Sequence, residues 1–271
     1  HLITPILTEA VGEMHIRYGL KPIVIYPDIV VGNPLKSNCV VRYLLHYAGF
    51  LHGQKSFPEN ELVFSYTKKI SQISKTDPTN ILFAPICNPE VFYPPKAGKI
   101  RKGSCFYASK YVNHHHGELF DISKDSVEIT RKKDSHTTDE VAELLRNSEY
   151  FLTYEDSSLI TEAILSDCPV VMVKNQFFDG KTVAEFELGL DGYCYTKNPE
   201  DLEKARKSLP LAREKFFKAL DNFPAQFDFF IELTQKHSQK ISKAEISFAK
   251  IVDMRKGSGQ LGRKFKKYIL K

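Results

Sequence analysis

Long apolar runs are missing from this sequence. No stretch of its 271 residues approaches the roughly 18 consecutive apolar residues of a membrane-spanning helix, so no such span is expected. Internal repeats and low-complexity segments are missing too, which argues against a solenoid or a disordered spacer. Five cysteines are present (Cys39, Cys87, Cys105, Cys168, Cys194), an odd number with no C-x-x-C pair. A disulfide framework is therefore not indicated, and a reduced, cytoplasmic protein is the simplest expectation. No Asp-x-Asp motif stands at the end of a strand, so no metal-held diphosphate is expected. The chain opens at His1 rather than Met and carries no signal peptide, which leaves room for a natural start upstream.

Net positive charge is confined to one end. The chain carries +5 overall, yet Arg255 to Lys271 holds seven basic residues and no acid, so the rest sums to −2. Phe265, Tyr268, Ile269 and Leu270 interleave with the basic residues. A short basic amphipathic element of this kind can lie on an anionic membrane surface, at about 1 kcal/mol per basic side chain. A solvated, frayed end is the plainer reading. Nucleic acid is not expected as a partner, because no recognisable nucleic-acid motif accompanies the tail.

Strand-like and helix-like segments alternate along the chain. Strands are expected over 2–7, 23–26, 62–66, 81–86, 104–109, 126–130 and 192–196, and a short helix over 40–47 (VVRYLLHY). Thr137-x-x-Glu140 reads as a capping box, with Val141, Leu144 and Leu145 as the helix stripe behind it. Helices are expected over 199–207 and 209–237, the latter interrupted at Pro224. Such alternation implies parallel sheets and an α/β class.

The most informative segment is YEDSSLITEAILSDCPVVMV. An apolar run, residues 150–153, reads as a buried strand. After Tyr154 comes an acidic, hydroxyl-rich turn: Glu155, Asp156, Ser157, Ser158. A helix then carries Leu159, Ile160, Ala163 and Ile164, and stops near Asp167, before a second strand over 170–173. Strand, turn, helix and strand make a parallel crossover. The turn delivers hydroxyls and N–H groups to a helix start, where phosphate is favoured. Glu162 lies one turn on, four residues after Ser158, where its carboxylate can accept from a ribose diol. An ordinary crossover, whose Ser and Asp only cap the helix, is the bland alternative.

This segment resembles the donor-nucleotide element of GT-B glycosyltransferases, where a glutamate precedes Ala-x-x-x-x-x-Pro-Val-Val. Here that is Glu162, Ala163, Pro169, Val170 and Val171. Many retaining members carry a second glutamate eight residues earlier. Tyr154 holds that position, with Glu155 adjacent, so retaining versus inverting chemistry stays open. CNPEVFYPPK, residues 87–96, holds three prolines within seven residues and resembles the connector between the two GT-B domains. The stretches 27–53 and 102–110 are similar to bacterial enzymes of surface-polysaccharide assembly, of the O-antigen or capsule type.

The resemblance implies an α/β fold of two Rossmann-like domains facing a cleft. The first, over 1–88, is acceptor-side and short or truncated. The second, over 89–236, binds the nucleotide-sugar, and a C-terminal helix and basic tail over 237–271 cross back. It implies a metal-independent glycosyltransferase with no cofactor, taking a nucleotide-sugar donor and a polysaccharide or lipid-linked acceptor. The enzyme would be cytoplasmic, peripheral at the inner membrane face through Arg255 to Lys271. Lys102 and Lys110, expected near the carboxyl edge of the second sheet, would offset the charge of a departing diphosphate. His46, His52 and Asp28 are candidate general bases for the acceptor hydroxyl. Glu185 and Glu187 are weaker candidates for reaching the donor sugar. His114, His115 and His116 are consecutive, which suits a solvated loop better than a metal site. A non-catalytic nucleotide-sugar or phosphate-binding module and a GT-B-shaped epimerase are the alternatives.

Overall fold

The computed structural model describes residues 8–50, 53–130, 135–178 and 188–241. The chain divides into two compact units. One takes in the chain up to Phe83 and again from Phe223 onward, and the other runs from Ala84 to Asn222.

In the first unit, helix α1 (Glu9–Arg17) starts at Thr8, whose hydroxyl accepts from the Val11 N–H at 3.3 Å. No sequence expectation covered this helix. Three parallel strands follow, β1 (Val24–Pro27), β2 (Val40–Leu44) and β3 (Leu62–Ser65), in the order β1-β2-β3. Of residues 40–47, expected as a short helix, 40–44 are thus the central strand. Val40, Val41, Arg42 and Leu44 are all buried. A strand covered on both faces reads as a continuous apolar run, which periodicity alone does not separate from a buried helix.

Arg42 is fully buried in this strand. Its Nε and Nη2 reach both Glu61 carboxylate oxygens, at 2.6 and 3.1 Å. Nη1 and Nη2 also donate to the carbonyls of Val30 and Gly32, at 2.8 and 2.6 Å. One side chain thereby fixes the helix-free connection from β1 to β2 and the segment entering β3.

Helix α2 (Lys68–Ser74) is capped by Thr67. The expected strand over 81–86 reduces to a single bridge, Ser65 with Ile81. Pro85 has no donor for a ladder, and the Phe83 N–H goes instead to Gln226 Oε1 at 2.8 Å.

The second unit holds five parallel strands, β4 (Ser104–Tyr107), β5 (Val127–Glu128), β6 (Tyr150–Thr153), β7 (Val170–Met172) and β8 (Tyr193–Cys194). Their order is β5-β4-β6-β7-β8. Helix α3 (Ser109–Asn113) connects β4 to β5, α4 (Thr138–Asn147) connects β5 to β6, and α5 (Leu159–Leu165) connects β6 to β7. The capping box at Thr137 and Glu140 is formed in full. Alternate strand residues feed two cores. Cys105, Tyr107, Phe151, Val170 and Met172 pack with Val141, Leu145, Ile160 and Ile164 from α4 and α5. Phe106, Leu152, Val171 and Tyr154 pack on the opposite face with Tyr111 of α3. The α/β class with parallel sheets, expected from the alternation, is observed in both units.

The last described helix, α6 (Pro199–Gln239), runs through Pro210 and Pro224 without a break, so the expected interruption at Pro224 is absent. Proline removes one i→i−4 bond, here to the Leu220 carbonyl. Packing holds the helix on either side. Leu209 and Phe216 sit in the core of the second unit, and Phe230 packs on Val41 and Phe64 of the first. The chain therefore rejoins the first unit from Phe223, earlier than the boundary expected after residue 236.

Candidate functional site

The chain passes from β4 outward to β5, then returns to β6 on the other side of β4. At such a reversal the crossover connections leave in opposite directions, and open parallel sheets generally form their ligand crevice there, which in this chain is beyond the carboxyl ends of β4 and β6. Two segments face each other there: 108–111, the cap and first turn of α3, and 154–158, the loop leading into α5.

These segments are tied. Lys110 Nζ donates to the Asp156 carbonyl at 3.1 Å, and the Tyr111 N–H donates to Glu155 Oε2 at 2.9 Å. Burial raises the Glu155 carboxyl above the ordinary glutamate value, opposed by the Tyr111 N–H and the Lys110 charge. Glu155 Oε1 and Ser157 Oγ are buried with no partner among the described residues. Asp156 and Ser158 are exposed, and Ser158 starts α5 without a side-chain cap bond.

Tyr154 is buried and points into the fold. Its hydroxyl accepts from the Phe120 N–H at 3.0 Å and meets Ser123 Oγ at 2.9 Å, and its ring stacks on Tyr111 at 5.2 Å. The loop after β7 joins the assembly through Asn175, which donates to the Tyr154 carbonyl at 2.9 Å and accepts from the Phe177 N–H at 2.9 Å. Phe177 in turn stacks on His115 at 4.1 Å. Gly117, in the segment that follows α3, packs against the Tyr111 ring, and a Cβ there would lie 2.2 Å from it.

Lys102 is not part of this cluster. Its N–H bonds the Asn147 carbonyl at 2.9 Å, before β4 begins. That is the amino end of the sheet, opposite to the carboxyl edge where it was expected. A strand of four residues separates the two lysines, and only the one following it reaches the crevice.

Glu162 lines a cavity of about 330 Å³ with Leu159, Phe92, Ile129, Thr130, Ser135, His136, Thr138 and Val141. The cavity lies where β5 ends and α4 begins. His136 Nδ1 is buried there without a hydrogen-bond partner among the described residues. A carboxylate, an imidazole and three hydroxyls against aliphatic and aromatic walls suit a small polar ligand with one flat face, and the volume is at the lower end for small-molecule sites. His136 was missed from the sequence. Its one signal was its place immediately before the capping box. Among the described residues, no group of three or more His, Cys, Asp or Glu converges as a metal site.

In the first unit, Asp28 is buried at the end of β1, and Oδ1 accepts from the Leu45 N–H at 3.0 Å. It closes the end of β2, a structural task at odds with the expected role as a base. Gly53 approaches it so closely that a Cβ would lie 1.8 Å from the Asp28 carbonyl oxygen. His46 also follows β2, stacked on Phe50 at 4.0 Å. Its Nδ1 accepts from the Tyr47 N–H at 2.8 Å. This hydrogen bond assigns the imidazole proton to Nε2, so the ring offers a donor there rather than a basic lone pair. His52, Glu185, Glu187 and the basic tail Arg255 to Lys271 lie outside the described residues, as does the strand expected over 2–7.

No protein-family model matches the chain, and no curated protein sequence does either. Among solved structures, the chain is similar to AviGT4, a glycosyltransferase involved in avilamycin A biosynthesis. The identity is 11% and the TM-score 0.38, over 74% of this chain and 75% of that one. A likeness at this level decides nothing about chemistry, and the residues at the sheet edge carry the reading.

Proposed function

We propose that the chain is a GT-B-like glycosyltransferase that moves a sugar from a nucleotide-sugar to a polysaccharide or lipid-linked acceptor. The observation that carries this is the crevice at the strand-order reversal. There Lys110 stands on the first turn of α3, and Glu162 stands on α5, beside a cavity sized for a nucleoside. In this reading the nucleoside enters that cavity, with Glu162 accepting from the ribose diol and His136 facing the base. Lys110 and the N–H groups of residues 156–158 meet the diphosphate, and Ser157 Oγ supplies a further contact. Because α5 is only seven residues long, its dipole adds little beside the charge of Lys110. Charge developing on the leaving diphosphate is then stabilised by a fixed cation and N–H donors without a metal. The acceptor belongs to the first unit, where the Nε2–H of His46 serves to orient a hydroxyl. Surface-polysaccharide assembly, of the O-antigen or capsule type, is the context suggested by the motif resemblance. The basic tail would place the enzyme at an anionic membrane face on the cytoplasmic side.

One observation favours a second reading, a non-catalytic nucleotide-sugar module. The position that holds a carboxylate in many retaining enzymes is a tyrosine sealed in the core. Slow donor hydrolysis without acceptor separates the two, because only a transferase shows it.

The primary test is ligand binding. A nucleotide that binds only the folded chain raises its melting temperature, so UDP, GDP, CMP and dTDP are compared by thermal shift. Against the best of these, Glu162→Ala is expected to weaken binding by roughly 1–3 kcal/mol through a lost charge-assisted hydrogen bond. Unchanged affinity by titration calorimetry in both Glu162→Ala and Ser157→Ala would remove the donor site from this position.

A further inference from the structure

We infer that Glu155 is a positioning residue that holds Lys110 over the diphosphate and does not itself touch the donor. The inference rests on the nucleotide-site reading above.

The residue at the N-cap of α3 is Ala108, which has no side chain able to cap the helix. Its orphan first-turn N–H at Tyr111 is answered from the facing loop by Glu155 Oε2, 44 residues away in sequence. The neighbouring residue, Lys110, makes the second tie, to the carbonyl of Asp156. Residues 110 and 111 of α3 thus pair with 156 and 155 of the facing loop, like two rungs. The rungs set the width of the crevice and the direction of the Lys110 side chain. A lysine ammonium has three donors, and one spent on the Asp156 carbonyl leaves two for phosphate oxygens.

Charge argues the same way. An exposed carboxylate beside a diphosphate would repel it. Glu155 is 6% exposed, and its negative charge is spent on an N–H of the helix that carries the cation. What the ligand meets is the lysine, which stands exposed at the same turn.

The experiment uses the full chain and whichever of UDP, GDP and dTDP binds it, together with the matching nucleoside. Dissociation constants are measured for Glu155→Ala, Glu155→Gln, Lys110→Ala and the double variant Glu155→Ala/Lys110→Ala. Far-UV circular dichroism reports whether each variant folds. Loss of the tie should weaken the nucleoside diphosphate about tenfold and leave the nucleoside unchanged. Glu155→Gln keeps an acceptor for the Tyr111 N–H and should stay within about twofold of the wild type. The double variant should be no weaker than Lys110→Ala, because Glu155 acts through that lysine. The inference is overturned if Glu155→Ala binds the diphosphate normally, or weakens diphosphate and nucleoside alike. It is also overturned if Glu155→Gln is as damaging as Glu155→Ala, since the carboxylate would then be contacting the ligand. A wild-type chain that binds none of the three diphosphates overturns the nucleotide-site reading itself, and the inference with it.

Discussion

Replacing Arg42 with methionine should be among the most damaging single changes available in the first unit. The stem keeps a similar apolar volume, so the loss falls on the head group and its four acceptors. Two of these are the carbonyls of Val30 and Gly32. Neither residue is fully buried, so both carbonyls can turn to water and contribute little. The other two are the oxygens of Glu61, whose side chain is only 7% exposed. Without its partner, that carboxylate is left desolvated and uncompensated, a loss of about 3–5 kcal/mol. At a urea slope of ~2 kcal/mol per molar, the unfolding midpoint of the first unit should fall by about 2 M. The protein has no tryptophan and 13 tyrosines, so tyrosine emission is the natural probe. Adding Glu61→Leu removes the stranded charge and should recover most of the loss, because an apolar pair often replaces a buried ion pair without penalty. A single variant that loses less than about 1 kcal/mol, or a double variant no better than the single, would refute the assignment of Arg42 and Glu61 as a buried ion pair.

Three other outcomes can be checked directly. Burial, and then the nearby charge of Glu162, push the Cys87 thiol up to about 12, so little thiolate exists at pH 8. Iodoacetamide should label Cys87 slowly there, and Glu162→Gln should quicken it. An equal rate in both would place Glu162 too far from Cys87 to act. On the proposed function, transfer activity should survive EDTA, with Lys110 taking the part a divalent ion plays elsewhere. Activity that disappears with EDTA and returns with manganese or magnesium would reject that. The tail, outside the described residues, should bind anionic vesicles less as salt rises, since the Debye length is only about 8 Å at physiological ionic strength. Equal cosedimentation with neutral and anionic vesicles, or full binding after deletion of Arg263 to Lys271, would exclude an electrostatic anchor.

Local signals in the sequence were dependable where one element decides its own shape. The capping box at Thr137 and the crossover from residue 150 to 173 needed no partner to be recognised, and both are present. Failures came where a distant partner decides. VVRYLL has apolar residues spaced for either a helix or a doubly covered strand, and only β1 and β3 alongside make it a strand. Pro224 should break an isolated helix, but Phe230 packed against Phe64 holds the helix beyond it. The crossover that carries the 154–158 loop was legible as a motif, whereas the cross-loop bonds were not. Nothing in the sequence links Glu155 to Tyr111 or brings His136 to the cavity lined by Glu162. Tyr154 looked like a vacant ligand position because its hydrogen-bond partners, Phe120 and Ser123, lie more than thirty residues upstream. Lys102 and Lys110 looked equivalent until the strand between them put one at each end of the sheet.

The return of α6 to the first unit has a consequence for the order of events during synthesis. Val41, Phe64 and Leu82 wait for Phe223, Phe230 and Leu233, and the Phe83 N–H waits for a side chain 143 residues downstream. The second unit is continuous from Ala84 to Asn222 and has all its own strands to hand once it emerges. At roughly 5–20 residues per second, translation leaves the leading three strands without their last helical cover for about 7–30 s. The portion made first is therefore finished last. During that interval its apolar sheet face is a target for chaperones, and for aggregation when they are scarce. Translation halted shortly after Asn222 would release a complete second unit attached to a first unit unable to close.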